Sequence, residues 1–141
     1  MIKRVMFVCT GNSARSQMAE GLARKMGRGK IEVFSPGLEP KGLHPIAVKA
    51  MADIGIDISA HTSKLIDPDL LRTMDAVITL CGDARDRCPV LPPGVPHMHW
   101  PLPDPAAVEG PEDAVLEAFR DVRIELQERI AAFLQDDEHM P

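Results

Sequence analysis

Four successive apolar residues, Val5-Met6-Phe7-Val8, run straight into Cys9-Thr10-Gly11, and this junction constrains the fold more than any other feature. A strand with one wet face alternates apolar and polar side chains, because successive residues point to opposite sides. An unbroken apolar run is what a strand covered on both faces needs, and such strands belong to parallel sheets. Ala76-Val77-Ile78-Thr79-Leu80 has the same character and is the strongest strand signal in the chain. Ile31-Glu32-Val33-Phe34, closed by Ser35-Pro36-Gly37, reads as another, and a brief strand is expected around Met98-His99-Trp100.

Helical patterns separate these runs. Met18, Ala19, Leu22, Ala23 and Met26 recur at helical spacing, with Gly27 placed to end them. Pro45 suits a first helical position, followed by Ile46, Ala47, Ala50, Met51 and Ile54, with Gly55 as the stop. Asp67-Pro68 offers a cap and a start for a helix carrying Leu70, Leu71 and Met74. A last helix from near Pro111 steps through Val115, Phe119, Val122, Leu126, Ile130 and Phe133, and fraying is expected over 135–141. Strands alternating with helices predict an α/β fold: a single three-layer domain over 1–141, with a four-stranded parallel sheet flanked by helices. In such sheets ligands bind beyond the carboxyl ends of strands, and both Cys9 and Cys81 stand at such an end.

Composition narrows the partners. A net charge of -5 argues against a nucleic-acid surface, which needs clustered positive charge. Only Val5 to Cys9 follow the basic start Lys3-Arg4 as an apolar run, too short for a signal peptide, and no run approaches membrane-spanning length. A cytoplasmic monomer is expected. Three cysteines in a reducing compartment make a poor disulfide framework and are candidates for metal binding or chemistry.

Cys9-Thr10-Gly11-Asn12-Ser13-Ala14-Arg15-Ser16 follows a strand and opens a helix. Successive backbone N–H groups of such a turn, from Thr10 to Arg15, can point at a tetrahedral oxyanion, helped by the helix N-terminus. Gly11 permits a sharp turn, Asn12 tolerates the left-handed region, and Arg15 offers a planar fork for two anion oxygens. The same positive field favours ionised sulfur at Cys9, and the Ser16 hydroxyl can donate to it. The competing reading makes Cys9 a buried small hydrophobe and Arg15 a surface residue.

Downstream, Cys81 and Cys88 stand seven positions apart in Thr79-Leu80-Cys81-Gly82-Asp83-Ala84-Arg85-Asp86-Arg87-Cys88-Pro89. Gly82-Asp83 reads as a helix start and Pro89 as its stop. Seven helical residues rise about 10.5 Å, whereas a disulfide needs Cα atoms roughly 4.4–6.8 Å apart. A Cys81–Cys88 bridge therefore requires the segment to unwind. Two alternatives stay open on the residues alone: a zinc site with His97 and His99, at unusual spacings, or inert buried cysteines.

The string from Cys9 to Ser16 resembles the phosphate loop of low-molecular-weight protein tyrosine phosphatases. Extended through Gln17-Met18-Ala19-Glu20-Gly21, it resembles the thioredoxin-coupled arsenate reductases built on that fold. The stretch from Thr79 to Pro93, with His99-Trp100 beyond, is similar to their redox segment, and the likeness spans Val5 to about Leu134. It implies arsenate as substrate and thioredoxin as reductant. Cys9 would be the nucleophile, with Cys81 and Cys88 passing the oxidation on. In phosphatase-like relatives an Asp-Pro pair supplies the general acid, and Asp104-Pro105 stands at that place; a plain turn before the last helix is the competing reading.

Many such reductases hold potassium through oxygens matching Asn12, Glu20 and Ser35 plus an aspartate, whose position here is Lys64. The expectation is no metal and no cofactor, with the Lys64 ammonium replacing the ion and pairing with Glu20. Two other functions compete with this one. A phosphomonoester phosphatase would need only Cys9, Arg15 and Asp104, although Ala106-Ala107 offers no aromatic grip after Asp-Pro. A non-catalytic oxyanion or redox sensor would use the same loop without turnover.

Overall fold

The computed structural model describes residues 3–11, 13–82 and 90–138. Its elements alternate along the chain: β1 (Lys3–Val8), α1 (Arg15–Met26), β2 (Ile31–Phe34), α2 (Pro45–Ala52), α3 (Pro68–Arg72), β3 (Ala76–Cys81), β4 (His97–Leu102), a 3₁₀ turn (Pro105–Ala107) and α4 (Glu112–Glu138). The four strands form one parallel sheet in the order β2-β1-β3-β4, as the continuous apolar runs require.

The two faces of β1 explain its uninterrupted apolar sequence. Val5, Phe7 and Cys9 join the larger core with Met18, Leu22, Met51, Phe119, Leu126 and Ile130 from α1, α2 and α4. Met6 and Val8 point the other way, into a smaller core with Leu71, Met74 and Val77 beside α3. Trp100 of β4 closes the larger core, 6.0 Å from the Phe7 ring and edge-on to Phe133 at 6.2 Å. Pro101 is accommodated because β4 is an edge strand, where a missing N–H breaks no ladder.

Helix starts follow the caps read from sequence. Asp67 accepts from the backbone N–H groups of Asp69 and Leu70, and the proline after it opens α3. α2 starts at Pro45 but ends at Ala52, so Ile54 lies beyond it. The chain leaves through a turn in which Gly55 takes φ 76°, a region that glycine enters without strain. Met74 also falls outside its helix, yet it is buried against β1 and β3. α4 stays helical to Glu138, since neither glycine nor proline interrupts the chain between Leu134 and Pro141. Among the described residues no helix is long and apolar enough to cross a membrane.

β1 and β3 are the inner strands and run in register, with Val8 opposite Thr79. The chain turns from β1 to one neighbour and returns to the other side, so the strand order reverses between β1 and β3. Cys9 and Cys81 continue these two strands at that point.

Candidate active site

Beyond the carboxyl ends of β1 and β3 lies a cavity of about 480 Å³. Cys9, Thr10, Gly11, Ser13, Ala14 and Arg15 line its floor. One wall is the strap of residues 41–45, and Asp104, Ala106 and Ala107 form the other. All the loop residues expected to surround an oxyanion are therefore gathered at one place, save Asn12, which lies outside the described residues. Cys9 is a free, buried thiol, and its Sγ lies 3.0 Å from the Ser16 hydroxyl, itself fully buried. Ser16 occupies the first turn of α1, so its contact with the sulfur is fixed by the helix start.

The strap shapes the loop through the backbone. Glu39 N–H donates to Thr10 O at 2.8 Å, Lys41 N–H to Gly11 O at 2.9 Å and His44 N–H to Ser13 O at 2.9 Å. The Ser63 hydroxyl adds a second bond to Gly11 O at 3.2 Å. Carbonyl and N–H of a trans peptide point in opposite directions, so the Thr10 and Ser13 carbonyls, drawn to the strap, turn the N–H groups of Gly11 and Ala14 away from it. This is the arrangement an anion cradle needs.

Arg15 is almost wholly buried, at 3% exposure, which rules out the surface reading. Its guanidinium donates to Leu102 O at 3.1 Å and reaches Leu80 O at 3.5 Å, tying the loop to the ends of β3 and β4. These two carbonyls fix the guanidinium at the floor of the cavity, where its fork can meet an oxyanion.

A second ring of buried polar groups supports the loop from behind. Glu20, 2% exposed, accepts a hydrogen bond from the Ser35 hydroxyl and meets Arg24 at 3.3 Å and His61 Nδ1 at 3.2 Å. Gln17 bridges His61 Nδ1 at 3.1 Å and Thr62 O at 3.0 Å. Burial lowers the pKa of His61 from its ordinary value; the Glu20 carboxylate opposes this, while Arg24 and Lys64 add to it. The expected Lys64–Glu20 pair is not made. Lys64 is exposed and its ammonium donates to Thr62 O at 2.5 Å, while Arg24 and His61 occupy the carboxylate. The reason is helical periodicity: Arg24 stands one turn beyond Glu20 on the same helix and reaches it at no cost in chain closure.

Asp104 lines the cavity and also caps the 3₁₀ turn, accepting from Ala106 N–H at 3.0 Å. The turn reading of the Asp-Pro pair is thus met, and the same side chain stands in the cavity lining. Facing it is His44, a residue the sequence did not single out. Its Nδ1 accepts from Ile46 N–H at 3.1 Å, leaving the hydrogen on Nε2, and its ring packs against Phe119 at 4.8 Å. Burial pushes the His44 pKa down and the nearby Asp104 pulls it partly back. Lys41 is the second missed residue. One signal could have found both: the connection after β2 also emerges at the carboxyl edge, so its polar residues face the same site.

Cys81 ends β3 beside this floor and is disulfide-bonded; its bonding partner lies outside the described residues. Cys88 lies outside them too, as does the helix expected to start at Gly82-Asp83. Of the alternative zinc set, His97 Nε2 and His99 Nδ1 both engage the Thr79 hydroxyl, at 2.9 and 2.7 Å.

Comparison with known proteins places this geometry. The low molecular weight phosphotyrosine protein phosphatase family matches residues 4–139. An arsenate reductase of Bacillus licheniformis is 53% identical over 136 residues, covering 96% of this chain and 98% of that protein. Among solved structures, an arsenate reductase in a phosphate-binding state superposes with a TM-score of 0.75 at 40% identity, covering 96% and 98% of the two chains. A thioredoxin-dependent arsenate reductase of Corynebacterium glutamicum gives 0.65 at 30% identity, covering 93% of this chain and 63% of that one.

Proposed function

Because the chain belongs to the low-molecular-weight phosphotyrosine protein phosphatase family and, within it, to the arsenate reductases, we propose that it reduces arsenate to arsenite by a three-cysteine relay with thioredoxin as reductant. The observation that carries this reading is the pairing of two sulfur states at one sheet edge. Cys9 is free at the floor of a cavity, and Cys81, at the neighbouring strand end, is already oxidised.

The chemistry follows from that placement. Arg15 and the loop amides hold the oxyanion while the Cys9 thiolate attacks arsenic. Asp104, as the acid, gives a proton to the departing oxygen, which leaves as water, and a Cys9–arsenic bond forms. Cys81 then attacks the Cys9 sulfur. The electron pair of the broken S–As bond stays on arsenic, which departs as arsenite, and a Cys9–Cys81 disulfide remains. Cys88 attacks Cys81, returning Cys9 as a thiolate and forming Cys81–Cys88. Two thioredoxin thiols reduce that bond by exchange. A free Cys9 with an oxidised Cys81 is the state reached after the third step. Three sulfurs are needed because Cys9 is 1% exposed, where a protein reductant has no access. Ser16 steadies the thiolate, and Glu20, Ser35 and Asn12 brace the loop.

The deciding experiment replaces Cys88 by serine and follows arsenate-dependent NADPH oxidation with thioredoxin and its reductase. Steady turnover should disappear, while slow hydrolysis of 4-nitrophenyl phosphate, which needs only Cys9, Arg15 and Asp104, should persist. Undiminished steady reduction in Cys88→Ser would reject the relay. Arsenate binding without any thioredoxin consumption in the unaltered protein would instead identify a sensor.

A further inference from the structure

The cavity is larger than the ion it is proposed to hold. Four oxygens around a centre occupy roughly four water volumes, about 120 Å³, against a cavity of about 480 Å³. The surplus lies above the loop, between Ala106 and Ala107 on one side and Lys41, Leu43 and His44 on the other. No aromatic side chain other than the His44 imidazole lines it, so nothing there grips a phenyl ring by stacking.

Lys41 is the distinctive member of this rim. Its backbone N–H is anchored to Gly11 O, and its stem lies along Gly11, where an added Cβ would come within 3.3 Å of Lys41 Cδ. Lys41 is exposed, and among the described residues its ammonium has no ion-pair partner. Among the described residues the other acidic and basic groups at the cavity are Arg15, on the floor, and Asp104, which caps its turn opposite His44. An unpaired cation at the mouth of a site on a chain of net charge -5 is placed to read charge that the floor does not.

We propose that Lys41 is a specificity residue: in the phosphomonoester hydrolysis expected of this loop, it favours esters whose substituent bears its own negative charge. This rests on the reading of the Cys9 loop given above. Cys9 attacks phosphorus, forming an S–P bond as the ester O–P bond breaks, and Asp104 protonates the leaving oxygen. Water then attacks phosphorus and returns a proton to Asp104, releasing phosphate and the Cys9 thiolate. Lys41 takes no part in these steps and meets the substituent only.

The test compares 4-carboxyphenyl phosphate with its neutral counterpart of equal size, 4-carbamoylphenyl phosphate. The carbamoyl phenol is the better leaving group, so any preference for the carboxylate comes from the pocket. At low salt kcat/KM should favour the carboxylate about 2- to 5-fold, the range an exposed ion pair supplies, and 0.5 M salt should erase the difference. The ratio should fall toward one in Lys41→Ala, invert in Lys41→Glu and survive in Lys41→Arg. A ratio equal in the unaltered protein and Lys41→Ala overturns the proposal. So does failure to cleave either ester by protein that still reduces arsenate, and that result leaves the reductase intact. If inorganic phosphate gives Cys9 no protection from alkylation, the loop reading and this proposal fall together.

Discussion

The carboxyl ends of β1 and β3 sit side by side and are built in opposite ways. Past Cys9 the chain is pinned at every turn: three strap-to-loop backbone bonds, a sulfur–hydroxyl contact, and a buried Glu20–Ser35–His61–Gln17 ring behind it. Past Cys81 the register with β4 shifts, and Gly82 fits only because it lacks a side chain. When the chain is next described, Val90 is 97% exposed. The first end suits a fixed cradle, where misplacement of donors is costly. At the second, the backbone of β4 closes directly on Gly82, and Cys81 is disulfide-bonded rather than free.

The largest expected effect is at the cradle. Arg15→Lys keeps a charge but loses the fork, along with the bonds to Leu80 and Leu102 carbonyls, and should lower kcat/KM for arsenate by about 10²–10³. A loss under threefold in steady-state kinetics would mean that Arg15 does not hold the anion. Glu20→Ala should cost about 1–3 kcal/mol in urea unfolding, because it strands the buried Ser35 hydroxyl; His61 keeps Gln17 on its Nδ1, and the exposed Arg24 adds little. It should also weaken phosphate binding, since the ring braces the loop.

Gly82→Ala probes the other end. A Cβ there would lie 2.5 Å from Leu102 N and 2.8 Å from Pro101 C, both backbone atoms, so β3 and β4 must part at a cost of about 1–3 kcal/mol. If the two ends are as separate as they look, this variant loses arsenate turnover more than phosphate affinity. An equal loss of both in paired kinetic and calorimetric measurements would erase the distinction.

A smaller effect comes with pH. His44 and His61 bind a proton less readily in the folded protein than in the unfolded chain, so unfolding takes up protons below about pH 6.5. Their contribution is complete above that pH and is lost as pH falls toward the lowered folded values. Thermal melts between pH 7.5 and 5.5 should therefore drop by a few degrees, roughly, and His61→Gln should flatten the drop. The smallest expected change is none: potassium and sodium should give equal melting temperatures and rates, because Arg24 and His61 already surround Glu20. A clear gain specific to potassium would show that the ion competes successfully with these two cations.

Much of the fold was legible because it is written in local periodicity. β2 at Ile31–Phe34 and the starts of α2 and α3 fall where proline, cap and apolar spacing put them, and α1 closes at Gly27. The cradle was legible for a related reason: Cys9 to Ser16 are contiguous, so one strand–loop–helix unit brings them together. The misjudged pair, Lys64 with Glu20, asked sequence to rank two cations by distance in space. Arg24 wins through helix geometry, and Lys64 turns to Thr62.

By itself, then, the sequence determined the layers, the parallel sheet and the floor of the site, since each depends on residues within a few positions of one another. Only the tertiary structure decided what stands over that floor. Lys41, His44 and Asp104 meet there because separate connections emerge at one sheet edge, and the N–H groups of Lys41 and His44, donated to loop carbonyls, hold that strap against the loop. Such meetings depend on strand order and register, which no local pattern of side chains encodes.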